Sequence, residues 1–141
     1  MEIKKYGGPE VLGIGSREIP VLKENEVLIK VKAAGINRPD ILQREGSYPP
    51  PKDSSDILGL EIAGEVIKVG KKVKNIKISD KVCALVSGGG YAEYCSAPFT
   101  QCLPIPKGLT FEEACILPET FFTIWFNLFI KNKLKKKQKI L

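Results

Sequence analysis

Asn37, Tyr48, Glu61 and Thr123 are the side chains with which this chain could do chemistry, and each also has a plainer structural reading. Asn37, in "GIN", offers an amide donor at the end of a predicted strand, where it could meet charge developing on an oxygen. The same residue would also suit a left-handed turn after Gly35. Tyr48, in "GSYPPP", pairs an aromatic face with a hydroxyl, suited to stacking on a flat ring or to packing on Pro49–Pro51. Thr123, in "PETFFTIW", falls in a helical segment, where its hydroxyl could bond back to a carbonyl one turn earlier. Glu61 follows Gly59-Leu60, and as a lone carboxylate it is expected to accept hydrogen bonds structurally. Asp40, in "NRPD", is expected to cap the helix "DILQREG".

Metal and phosphate chemistry find less support. The chain contains no histidine, and its four cysteines, Cys83, Cys95, Cys102 and Cys115, form no C-x-x-C pair. A structural zinc site would need all four thiolates from unrelated segments, so reduced, buried thiols are expected. Two glycine clusters invite comparison with phosphate loops. "GIGSRE" has Glu18 where a third glycine belongs and Pro20 where a helix should run, so it reads as a surface turn. "GGGYAE" leads into a strand and lacks the Lys-Ser/Thr of a P-loop, so it reads as a hairpin turn.

The charge is segregated. Of 22 basic residues six are lysines within residues 131–141, a stretch with no acid, so the rest of the chain balances its 16 acidic groups. No basic face for nucleic acid is evident in the body. The longest apolar stretch, Phe121 to Ile130, is too short to span a bilayer, and "MEIKKYGG" is no signal peptide. A cytoplasmic location is expected, with no nucleic-acid partner and no membrane partner.

The elements that must position these residues are mostly strands. Val27, Ile29, Val31 and Ala33 alternate with Leu28, Lys30 and Lys32, the period of a half-buried strand. "EIAGEVIKVG" is a second, with Gly64 read as a bulge and Gly70 as the closing turn. "KVCALV" and "YAEYCSAP" flank the "SGGG" turn, and prolines confine "TQCLPIP" to an edge. Thr110 and Glu113 form a capping box for a helix over Phe111–Leu117, stopped by Pro118. From Glu119 to about Lys131 the pattern is a helix that is apolar all round and so requires burial. "KIL" at the end reads as the start of another strand. Short strands broken by glycine and proline predict a mainly β fold, a small closed or partly open barrel with short helices.

Five blocks in order, "GGPEVL", "EVLIKVKAAGINRPDILQREGSYPPP", "ILGLEIAGEVIKVG", "SDKVCALVSGGGYAEY" and "LPIPKGLTFEEACILPE", resemble the medium-chain dehydrogenase/reductase superfamily. Within it they are most similar to the zinc-independent NADPH:quinone oxidoreductases of the zeta-crystallin type. The resemblance implies that residues 1–118 form a GroES-like, partly open barrel on the substrate side of a cleft. Residues 119–141 would be the first helix, linker and opening strand residues of a truncated Rossmann dinucleotide-binding domain. It implies that Asn37 and Tyr48 act on the substrate and the nicotinamide, and that Thr123 reaches the cofactor from the helix. It also implies no zinc, because Asn37 and Leu60 stand where the zinc-dependent branch has its cysteine and histidine ligands. The expected reaction is hydride transfer from NADPH to a quinone or enone. Activity is expected only with a dinucleotide-binding half, supplied by a partner chain or homo-oligomer. The alternatives left open are a non-catalytic docking module and the remnant of a split gene.

Overall fold

A computed structural model describes residues 1–140. The alternating segment forms β3 (Glu26–Ala34), and two shorter strands before it, β1 (Glu2–Ile3) and β2 (Leu12–Gly13), make a separate antiparallel pair. Helix α1 (Arg38–Arg44) follows β3, and then come β4 (Glu61–Val69), β5 (Lys81–Leu85), β6 (Tyr94–Pro98) and β7 (Cys102–Pro104). The last five strands form one antiparallel sheet in the order β6-β3-β4-β5-β7. This sheet stays open: β6 and β7 are its two edges, and Pro98 and Pro104 on them lack the N–H that further pairing would use.

One face carries the main core. Val27 and Ile29 of β3, Ile62 and Val66 of β4, and Cys95 and Ala97 of β6 are buried together there. The other face is covered by α2 (Phe111–Ala114), whose Ala114 packs with Cys115, Ala63 and Cys83. Between β3 and β4 the register slips twice, once after Leu28 and once around Lys32. The bulge expected at Gly64 is carried instead by the partner strand, where Lys32 is the extra residue. Gly64 serves close approach: a Cβ there would lie 2.3 Å from the Lys30 carbonyl oxygen. Gly70 ends β4 as expected, its N–H donating to the Glu26 carbonyl at 2.9 Å.

The "SGGG" segment is not a hairpin. β5 and β6 do not pair; two strands of the sheet, β3 and β4, lie between them. Gly88–Gly90 instead crosses over Ile57–Gly59, to which Gly89, Tyr91 and Gly90 donate backbone hydrogen bonds of 2.7, 2.9 and 3.1 Å. Gly88 and Gly89 have φ of +129° and +89°, a path that costs a glycine little.

The capping box forms: the Thr110 N–H donates to Glu113 Oε2 at 2.8 Å and the Glu113 N–H to Thr110 Oγ1 at 3.2 Å. The helix is shorter than expected, because α3 (Leu117–Trp125) starts anew just beyond it. Pro118 sits in the first turn of α3, where its missing N–H costs nothing, so it opens a helix rather than only ending one. A π-helical stretch, Phe126–Lys131, continues α3. Burial of this segment does not follow: Phe121, Trp125, Phe126 and Ile130 are all more than half exposed. The helical run Phe111–Lys131, 21 residues, has the length and composition to cross a bilayer, which the ten-residue apolar stretch alone did not. Its first turn is nonetheless packed on the sheet through Ala114. Lys139 and Ile140 lie in no strand, since no neighbour offers them a ladder, and Leu141 lies outside the described residues.

Candidate functional site

The polar residues gather where β3, α1, β4 and α3 meet. Asn37 is the N-cap of α1 in extended conformation, with φ of −124°. Its backbone N–H donates to Asp40 Oδ2 at 2.8 Å, so Asp40 caps the helix from the third position inside it. Asp40 is 3% exposed and takes two further bonds, from the Gly59 N–H to Oδ1 at 3.1 Å and from the Tyr91 hydroxyl to Oδ2 at 2.9 Å. Glu61, at the start of β4, is 2% exposed. Its Oε1 accepts from Asn37 Nδ2 at 2.9 Å, and its Oε2 from the Glu119 N–H in the first turn of α3 at 3.0 Å. The structural acceptor role expected of Glu61 is thus what the geometry provides.

Gly35 makes room for this carboxylate. A Cβ on it would fall 2.2 Å from Glu61 Oε1. Thr123 lies one helical turn beyond Glu119, so the two share a face of α3. It is exposed, and its backbone carbonyl accepts from Asn127 Nδ2 at 2.9 Å. Tyr48 stands apart. It is exposed beyond α1 and lines a separate depression of about 430 Å³ with Gln43, Gly46, Pro49 and Pro50. The structure therefore joins Asn37 to the base of the helix that carries Thr123, and does not join Tyr48 to either.

Tyr91 is the residue that sequence reasoning passed over. It sits at the end of the glycine crossing, and only that crossing brings it to Asp40, 51 positions earlier. It also borders an open depression of about 1110 Å³ with Gly88, Gly89, Ala33 and Ala34. Burial, the Asp40 hydrogen bond and the charges of Asp40 and Glu61 all push its phenol well above the usual range. Glu119 is shifted the same way, by burial first and then by the charges of Glu61 and Asp40.

The donors do not suit zinc. Asn37 spends an amide N–H on Glu61, and Leu60 carries no donor at all. The cysteines divide between the two cores, Cys95 and Cys102 in one and Cys83 and Cys115 in the other. Among the described residues no group of three His, Cys, Asp or Glu side chains stands in metal-binding arrangement. Burial pushes the Cys95 and Cys102 thiols up to about 12. Such thiols are poor nucleophiles at neutral pH. The folded chain is expected to resist iodoacetamide at Cys95 and Cys102 and to label at both once denatured, as peptide mass mapping would show. Because the folded thiols hold their protons beyond the ordinary value of 9.0, the unfolded chain releases protons first as pH rises. Their contribution to stability is therefore complete below about pH 9 and lost progressively as pH climbs towards 12. A melting temperature that rose across this alkaline range would contradict it.

Known proteins share this arrangement of elements. Residues 23–107 match the alcohol dehydrogenase GroES-like domain. Quinone oxidoreductase from Sus scrofa is 36% identical over 125 residues, covering 87% of this chain and 38% of that protein. The synaptic vesicle membrane protein VAT-1 homolog of Danio rerio is 32% identical over 137 residues, 96% of this chain and 28% of its own length. Among solved structures, Escherichia coli quinone oxidoreductase complexed with NADPH superposes with a TM-score of 0.79 at 36% identity, covering 90% of this chain and 39% of that one. Human VAT-1 homolog-like protein superposes at 0.84 with 31% identity, covering 94% and 43%. The chain spans less than half the length of these relatives. With its open antiparallel sheet, its capped α1 and the match over residues 23–107, this chain belongs to the alcohol dehydrogenase GroES-like domain family.

Proposed function

We propose that this chain is the substrate-side half of a zinc-independent, NADPH-dependent quinone oxidoreductase of the cytoplasm. The observation that carries the reading is the Asn37–Glu61–Glu119 connection, which ties a polar amide, standing where one metal ligand would otherwise be needed, to the helix bearing Thr123. Bound NADPH would supply the hydride, so the protein needs no metal of its own for the transfer. Asn37 retains a second N–H, and we assign it the donor to the oxygen on which charge develops. Thr123, exposed on α3, would hold the cofactor through its hydroxyl. Tyr48, exposed with its ring beside a depression, would stack on a flat ring and limit the entry of water. A dinucleotide-binding unit, on the same polypeptide or on a partner, would supply the phosphate contacts, so that residues 1–118 act as the substrate domain and residues 119–141 lead into that unit.

The test is NADPH oxidation by para-benzoquinone, using the native polypeptide isolated from its source after native mass spectrometry has established its chain composition. Turnover is expected, and Asn37→Ala is expected to lower kcat by roughly a hundredfold. Absence of turnover, or a variant as fast as the parent, would overturn the reading. The exposed face of α3 and its π-helical continuation, with Phe121, Trp125 and Ile130, would then favour a non-catalytic docking module.

A further inference from the structure

We infer that Glu61 is a positioning residue, whose one carboxylate sets the orientation of the Asn37 amide and ties it to the base of α3. The inference rests on the reading of Asn37 given above and adds what controls that residue. Both Glu61 carboxyl oxygens are acceptors here, Oε1 from the Asn37 side chain at 2.9 Å and Oε2 from the Glu119 N–H at 3.0 Å. The Asn37 side chain therefore turns its NH₂ group, not its oxygen, towards β4. That settles the two-fold ambiguity of the amide and leaves one N–H for the open side, the side-chain oxygen facing the Asp40 backbone N–H in the capping box. The backbone of Asn37 is held independently by Asp40 Oδ2. The residue is clamped at both ends, and the hydrogen bond that its NH₂ group donates goes to Glu61.

The second oxygen reaches a different element. Glu61 Oε2 takes the Glu119 N–H, which no earlier carbonyl of α3 can satisfy at the start of the helix. Thr123 stands one turn further on the same helix. Asn37 and the helix that bears Thr123, 86 positions further along the chain, are thus registered through a single side chain. At 2% exposure Glu61 has no access to solvent for any other task, and its place is kept open by the missing Cβ of Gly35. Glutamine at 61 would match only one of the two donors, because its amide nitrogen would confront the other.

The first experiment needs no variant. In the full chain labelled with nitrogen-15, one of the two Asn37 Nδ2 protons is expected to exchange with solvent at least about tenfold more slowly than the other, the mark of one bonded and one free N–H. Equal exchange of both would overturn the inference, whether or not the chain turns over NADPH. In Glu61→Gln the slow proton is expected to lose its protection. The kinetic arm is a double-mutant cycle on NADPH oxidation by para-benzoquinone. Glu61→Gln is expected to lower kcat about tenfold alone, but by less than about twofold in the Asn37→Ala background. Equal losses in the two backgrounds would show a merely structural residue and overturn the inference. A parent without turnover would sink the oxidoreductase reading, while the exchange rates would still decide whether Glu61 orients Asn37.

Discussion

Asp40→Ala is expected to lower the folding stability of this chain by about 4 kcal/mol, seen as a fall in the urea midpoint. The side chain is almost fully buried and accepts from the Asn37 N–H, the Gly59 N–H and the Tyr91 hydroxyl. A buried donor left without a partner costs about 1–3 kcal/mol, and the Asn37 and Gly59 N–H groups are orphaned together, while the Tyr91 hydroxyl keeps the Gly35 carbonyl at 3.1 Å. Removing the carboxylate also relieves its own burial, which holds the total below the upper end of two such penalties. Two milder variants calibrate the argument. Tyr91→Phe removes one of the three bonds and should cost about 1 kcal/mol. Asp40→Asn keeps one accepting oxygen and should fall between the two. An Asp40→Ala chain no less stable than Tyr91→Phe would mean that the two N–H groups find other partners, and the account of this cluster would be wrong.

Gly59→Ala ranks next, at about 3 kcal/mol, and acts on the same cluster from the other side. Gly59 has φ of +102°, outside the range that side-chain-bearing residues adopt without strain. The added Cβ would also lie 2.7 Å from Gly90 Cα and 2.7 Å from the Tyr91 nitrogen. Both obstacles are backbone, so no rotamer change relieves them. Pushing the crossing away would lengthen the Gly90 N–H bond to Gly59 O, now 3.1 Å, and draw the Tyr91 hydroxyl from Asp40. Gly108→Ala is the control. Its φ is +94°, but nothing lies within 4 Å of the added Cβ. Thermal unfolding should show Gly59→Ala losing clearly more than Gly108→Ala, since the second carries strain without the clash. Equal losses would leave backbone strain as the whole explanation.

How much of this was legible in the sequence depended on how far apart the partners lie. β3 was readable because its signal is local: alternation from Val27 to Ala33 needs no knowledge of the rest of the chain. The Thr110–Glu113 box was readable for the same reason, with both hydrogen bonds closing across three residues. The glycine crossing was misread because a glycine run between two strands looks the same whether the strands pair or not. Only the pairing of β6 with β3 shows that the chain must cross. Tyr91 was missed with it, for its role exists only at the far end of that crossing. Tyr48 was chosen by type, but the depression it lines is set by how the chain leaves α1, which composition does not encode.

What the sequence by itself determined was chemistry by residue type. A chain without histidine, with Asn37 and Leu60 where donors would stand and with scattered cysteines, is poorly equipped for zinc whatever its fold. Its alternation, glycines and prolines also determined short strands, a capped helix and edge positions, because those are short-range preferences of the backbone. Tertiary structure alone decided which polar groups meet. Asn37, Glu61 and Glu119 converge from sequence separations of 24 and 58, and Asp40 and Tyr91 from 51. Such contacts are selected by the requirement that buried donors and acceptors be satisfied together, a condition on the whole fold that no single segment can express.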